Sequence, residues 1–154
     1  TECFFVSGLL HDDGRLIMLQ GLPETLLRAI NRTGDSDKSL ELEKYHLGFT
    51  HTEVGAELAR QWRLPDHIIA AIEYHHEPFA NHQFQREAGL VCIANTVVTA
   101  TEHQQSLEQK LQTLQPHLFS LTGLDIQHIS KVAKAATAHF KEVYRLLFSS
   151  GLAA

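Results

Sequence analysis

The chain has 154 residues, 44% of them hydrophobic and 20% charged, and a formal net charge of −5. That length and balance fit one globular domain with a core of its own and exclude a disordered chain. The acidic balance, with a pI near 6.1, argues against the clustered basic face that nucleic acid requires, and no apolar run is long enough to span a membrane.

Strict two-residue alternation is rare and apolar residues recur at three and four. The expected fold class is therefore all-α, a helical bundle of about six to seven helices. Residues 2–12 place Phe4, Phe5 and Leu9 on one helix face and stop at a turn signal, Asp12–Gly14, while the apolar residues 15–20 are able to extend that helix. Pro23 opens the next helix at its first turn, where the missing N–H costs nothing, and residues 33–40 read as the clearest loop. Thr50 and Glu53 form a capping box that starts a helix over residues 51–62. Pro65 or Asp66 starts another, running to His75–His76 before Pro78, and residues 77–85 are a polar loop.

A long helix over residues 86–103 should turn Leu90, Ile93, Ala94, Val97 and Val98 inward, and residues 106–120 form one shorter helix. Gly123 and a capping Asp125 lead into a final helix, 126–148, with Ile129, Val132, Ala136, Phe140, Val143 and Leu147 at core spacing. Its bulky face of Phe140, Tyr144, Leu147 and Phe148 is expected in the core rather than on a membrane or partner. The chain begins at Thr1 inside an apolar pattern, so its natural start is expected further upstream. Losing preceding helices would bare Cys3, Phe4 and Phe5, and dimerisation is the expected consequence. Cys3 and Cys92 stand singly in apolar runs, as buried thiols of a reducing compartment do.

The unusual number is eleven histidines. His46, His67, His82, His103, His117, His128 and His139 lie scattered among polar residues and read as surface groups. His11, His51, His75 and His76 do not. Asp12 follows Gly8–Leu9–Leu10–His11, where a buried carboxylate is costly unless paired or bound to a cation. His51 opens one helix and His75–His76 close another, so three helix ends carrying imidazole converge in a bundle. Imidazole with carboxylate suits zinc, iron or manganese, and such a metal activates water against a phosphoryl ester. The same residues are equally able to form a hydrogen-bonded network tying helix ends together. Both readings stand at this point.

Three segments carry a resemblance. Gly8–Leu9–Leu10–His11–Asp12–Asp13–Gly14–Arg15, then His51–Thr52–Glu53–Val54–Gly55 with Trp62–Arg63–Leu64–Pro65, then Ala71–Ile72 with His75–His76–Glu77–Pro78, follow in this order. The succession resembles the HDOD family, the HD-related output domain of bacterial signalling proteins. The resemblance covers about residues 2–100. It implies an HD-like core over residues 1–104, lacking its upstream helices, and a helical extension over 105–154 packed upon it.

It further implies a cytoplasmic, regulatory domain without catalytic residues that relays the state of other signalling domains or proteins. The alternative is a metal-dependent phosphohydrolase acting on a nucleotide or cyclic dinucleotide. In that version His11, Asp12, His51, His75 and His76 hold iron, manganese or zinc, and Arg15 neutralises a phosphate oxygen. Departures from the pattern favour the regulatory version. Asn95 stands where the long helix should carry a carboxylate, and Arg15 replaces a lysine. A further histidine expected upstream lies outside the chain. The Gly-Tyr-Pro segment of cyclic-di-GMP phosphodiesterases is absent after Pro78.

Overall fold

A computed structural model describes residues 2–30 and 36–148. Among these residues there are ten helices and no strand: α1 Glu2–Leu10, α2 Asp13–Gly21, α3 Pro23–Ile30, α4 Ser36–Leu47, α5 His51–Gln61, α6 Asp66–Glu73, α7 Gln85–Glu102, α8 Leu107–Gln112, α9 Pro116–Thr122 and α10 Ile126–Phe148. The all-α expectation holds, and the count exceeds six to seven for physical reasons. The first predicted helix is cut at His11–Asp12 into α1 and α2. Residues 36–40, expected in a loop, begin α4, while residues 33–35 of that loop lie outside the described residues. The single helix expected over 106–120 is two, because Pro116 lacks an N–H and cannot continue α8 but suits the first turn of α9.

Local signals elsewhere are realised closely. Thr50 Oγ1 accepts from the Glu53 N–H while Glu53 Oε2 accepts from the Thr50 N–H, the reciprocal capping box expected at α5. Gly123 ends α9 in the left-handed region at φ 72°, and Asp125 Oδ1 accepts from the His128 N–H at 2.7 Å to start α10. α6 stops at Glu73, short of the expected His75–His76, which lie in the following turn.

Two apolar clusters hold the bundle. Ala56, Ala59, Ile68, Ile69 and Ile72 form one between α5 and α6, with Cys3, Val6 and Leu10 of α1 packed against it. Cys92, Ile93, Leu111, Leu118 and Ile129 form the other between α7, α8, α9 and the start of α10. Of the α7 residues expected inward, Ile93 is buried and Val97 packs on the second cluster, but Ala94 and Val98 face solvent. The stripe shifts because α7 is gripped from α6 on one side and from α8 and α9 on the other. The larger correction concerns α10. Ile129 and Ala133 are buried, but Val132 (52% exposed), Phe140 (68%) and Leu147 (67%) are not, and Ala136 is exposed as well. The helix packs on α8 by its first turns only. Among the described residues no helix is long and apolar enough to cross a membrane.

One approach positions the site. A Cβ on Gly14 would lie 1.9 Å from the His51 carbonyl oxygen and 2.8 Å from the Gly55 nitrogen. Only glycine lets the first turn of α2 lie directly on the backbone of α5. That contact sets Asp12 beside His51.

Candidate metal centre

Asp12, at the α1–α2 turn, stands among imidazoles from three directions. Its Oδ1 is 3.2 Å from His51 Nε2 and 3.9 Å from His75 Nε2, and its Oδ2 is 3.6 Å from His11 Nε2. The His11 and His75 rings meet edge to face at 4.9 Å, and the His76 ring centre is 4.3 Å from that of His75 and 5.2 Å from that of His51. Ligand atoms of His11, Asp12 and His75 all lie within 4.8 Å of one another, and so do those of His51, His75 and His76.

Each of three imidazoles is oriented through its other nitrogen. His11 Nδ1 donates to the Gly8 carbonyl and His75 Nδ1 to the Ile72 carbonyl, both at 2.8 Å. A carbonyl only accepts, so each Nδ1 carries a proton, and it is Nε2 that is turned toward Asp12. His51 Nδ1 lies 2.7 Å from Glu43 Oε2, which also accepts from the His51 backbone N–H at 2.8 Å. A carboxylate behind an imidazole fixes its tautomer and raises its basicity toward a metal. Asp12 Oδ1, His51 Nε2 and His75 Nε2 are buried atoms with no hydrogen-bond partner. An unpaired buried acceptor costs roughly 1–3 kcal/mol, which a proton held between Asp12 Oδ1 and His51 Nε2, 3.2 Å apart, or a cation among these atoms would relieve.

Burial would raise the Asp12 pKa, but His51, Arg15 and His11 outweigh it and hold the carboxyl well below the usual range. Glu43 is likewise lowered, His51 and Arg15 overcoming its burial. Burial would lower His51, yet Asp12 and Glu43 raise it against the opposing Arg15 charge. His75 is held well below its ordinary value by burial and by its neighbours His76 and His51, more than its bond to Ile72 restores. A neutral His75 keeps its lone pair, which is the form that binds metal.

All five expected ligands, His11, Asp12, His51, His75 and His76, thus meet in one place. Arg15 meets them from a different side: Nη1 donates to Asp12 at 3.3 Å, Nη2 donates to Ser39 Oγ at 3.2 Å, and Nε lies 3.7 Å from Glu43 Oε1. Its guanidinium is turned to the protein's own acids. Asn95 is half-buried and lines a cavity of about 490 Å³ together with His75, His76, Thr99 and Lys110. Sequence reasoning missed Glu43 and Ser39, both buried on α4. The available signal was the spacing Leu40–Glu43–Leu47, which puts an acid on the apolar stripe of a helix.

Comparisons with known proteins place this geometry. The chain is 27% identical over 107 residues to an uncharacterized protein of Treponema pallidum (68% of this chain, 21% of that one). It is 31% identical over 116 residues to ribonuclease Y of Aquifex aeolicus (74% and 19%). The chain thus spans about a fifth of the length of these relatives. Among solved structures, a signal transduction protein of Marinobacter aquaeolei, provisionally so named, superposes with a TM-score of 0.75 at 22% identity, over 94% of this chain and 32% of that one. A provisionally named phosphohydrolase of Shewanella amazonensis gives 0.67 at 22%, over 87% and 50%. Both share the HD-type helical fold. Residues 1–78, which contain the whole constellation from His11 to His76, match the HDOD domain family, and the chain belongs to that family.

Proposed function

We propose that this chain is a regulatory module of a signalling protein, built around a divalent transition metal held by His11, Asp12 and His75, with His51 and His76 beside them. The observation that carries this reading is the set of three imidazoles with Nδ1 turned outward to an acceptor and Nε2 turned inward on one carboxylate. Neutral imidazole with carboxylate suits zinc, iron or manganese. A bound metal would supply Lewis acidity and an activated water at this place. Glu43 would hold His51 in register, Arg15 would bridge Asp12 to Glu43, and His75 would stay unprotonated. The regulatory role is supported by Asn95, a neutral amide where the resemblance expects a carboxylate, and by an Arg15 engaged with the protein's own acids. Fold alone does not decide between signalling and hydrolysis.

A phosphohydrolase is the second reading, favoured by one observation: the cavity of about 490 Å³ beside His75 and His76 has room for a small ester. Protein purified without chelator should carry close to one equivalent of transition metal, and Asp12→Asn should lose it. Zinc or manganese at a hundred times its Kd should stabilise the fold by about 2.7 kcal/mol. That is roughly 5–10 °C in Tm for a chain of this size. Less than a tenth of an equivalent, with no shift on adding metal, overturns the metal centre. Turnover of a generic phosphodiester by the metal-loaded chain, abolished by Asp12→Asn, would establish the second reading over the first.

A further inference from the structure

We propose that the cavity enclosed by α7, α8, α9 and the turn at Glu77–Ala80 is a binding site for a small monocarboxylate with an apolar body. The inference rests on the regulatory reading and deepens it, by naming the class of molecule such a module would sense. The cavity holds about 490 Å³, within the span of roughly 300–1,000 Å³ usual for small-molecule sites. Every wall of it lies between His75 and Leu118. It adjoins the metal centre through His75 and His76, but its other lining groups are not ligands of that centre.

The walls differ in chemistry. On α7, Cys92, Asn95, Thr96 and Thr99 follow at steps of three and four residues, so one face of the helix turns small polar groups to the cavity. Thr96 Oγ1 donates to the Cys92 carbonyl at 2.9 Å. The side chains of Asn95 and Thr99, both half-buried, hydrogen-bond no described residue. Their amide and hydroxyl are able to donate to a ligand oxygen. The opposite wall is apolar. Leu118 belongs to the second apolar cluster, and Phe79 and Leu114 pack against that cluster, so this wall is formed before any ligand arrives.

Charge selects the ligand. Lys110 is half-buried in the lining. An ammonium carries three N–H donors, so a contact within the protein leaves others for a ligand. Among the described residues no other lysine or arginine lines the cavity, and its one acid, Glu77, is exposed. A phosphate monoester carries about −1.5 to −2 charge at pH 7 and is matched best by the fork of an arginine. Arg15 is turned instead to Asp12 and Glu43. One cation beside amide and hydroxyl donors matches a single carboxylate, while Phe79, Leu114 and Leu118 cover an apolar remainder.

Isothermal titration calorimetry of 3-phenylpropionate into the chain, metal-free and zinc-loaded, tests this. Saturable binding at one site is expected in both forms. Removing the charge from the ligand, as 3-phenylpropanamide, or from the protein, by Lys110→Gln, should weaken binding at least tenfold. Thr99→Phe, which puts a ring into the cavity, should abolish it with thermal unfolding unchanged. Should that variant fold badly, Lys110→Gln still decides. No saturable binding of either 3-phenylpropionate or hexanoate overturns the site, and so does an amide that binds as tightly as the acid. Unchanged affinity in Lys110→Gln does the same. Tighter binding of phenyl phosphate than of the acids also overturns it and assigns the cavity to a phosphate ester. A chain that binds the acid but takes up no zinc keeps this site and loses the metal centre, and zinc uptake without acid binding does the reverse.

Discussion

Around Asp12 the molecule buries polar groups, and along the distal half of α10 it exposes apolar ones. In the first region Glu43, His51 and His75 are almost wholly enclosed while Asp12 Oδ1, His51 Nε2 and His75 Nε2 lack hydrogen-bond partners. Each such atom costs roughly 1–3 kcal/mol. In the second, Phe140 and Leu147 stay in water, forgoing about 1.5–3 kcal/mol apiece of burial. The ordinary partition of groups is broken in opposite senses: the first region turns buried polar atoms on one another, as a cation would require, and the second leaves an apolar stripe in water. The difference teaches that the polar breach is rigidly built, through hydrogen bonds to backbone and to Glu43, whereas the apolar one lies on a single helix held at one end.

The largest expected effect breaks the first region at its foundation. Gly14→Ala would drive a methyl group to 1.9 Å from the His51 carbonyl oxygen. Backbone on both sides cannot yield as a side-chain tip would, so α2 must lift from α5 and carry Asp12 with it. A loss above about 4 kcal/mol is expected, in the range reserved for severe core strain. Thermal unfolding measures it. A loss under 1 kcal/mol would mean that the Asp12–His51 approach does not depend on this contact.

Next comes the anchored end of α10. Ile129 is 5% exposed within the second cluster, against Leu111 and Leu118. Ile129→Ala should cost about 2–5 kcal/mol through lost burial and the cavity left behind. Denaturant unfolding reads the change, and an unaltered midpoint would show that α10 contributes nothing to the core even where it touches it.

What the sequence disclosed and what it withheld divide along the same line. Features decided within a turn of helix were legible: the Thr50–Glu53 box, the Gly123 stop, the Asp125 cap, and the bounds of α10. The constellation of His11, Asp12, His51, His75 and His76 was legible through a motif succession. Glu43 was not, because a glutamate in a polar stretch looks solvated until Arg15 and His51 arrive from other helices. The first residues of α4 were misread because Ser36–Asp37–Lys38 has loop composition. The apolar stripe of α10 was read correctly as a stripe. Periodicity states which residues share a face, not whether another helix is there to meet it.

The smallest effect sharpens that last point most. Phe140 follows Ile129 by eleven residues, which on a helix of 3.6 residues per turn returns it to within about 20° of the same direction. The two side chains therefore share one stripe and differ only in what faces them. Phe140 touches the ring of Tyr144 at 6.1 Å between centres, a pairing worth about 0.2–0.5 kcal/mol on an open helix. Alanine recovers a similar amount through its better helix propensity. Phe140→Ala should thus alter the stability of dilute monomer by less than about 0.5 kcal/mol, an order of magnitude below Ile129→Ala at its upper bound. If Phe140→Ala costs 2 kcal/mol or more in dilute monomer, the stripe is packed along its whole length, and the contrast between a buried polar centre and a bare apolar arm fails.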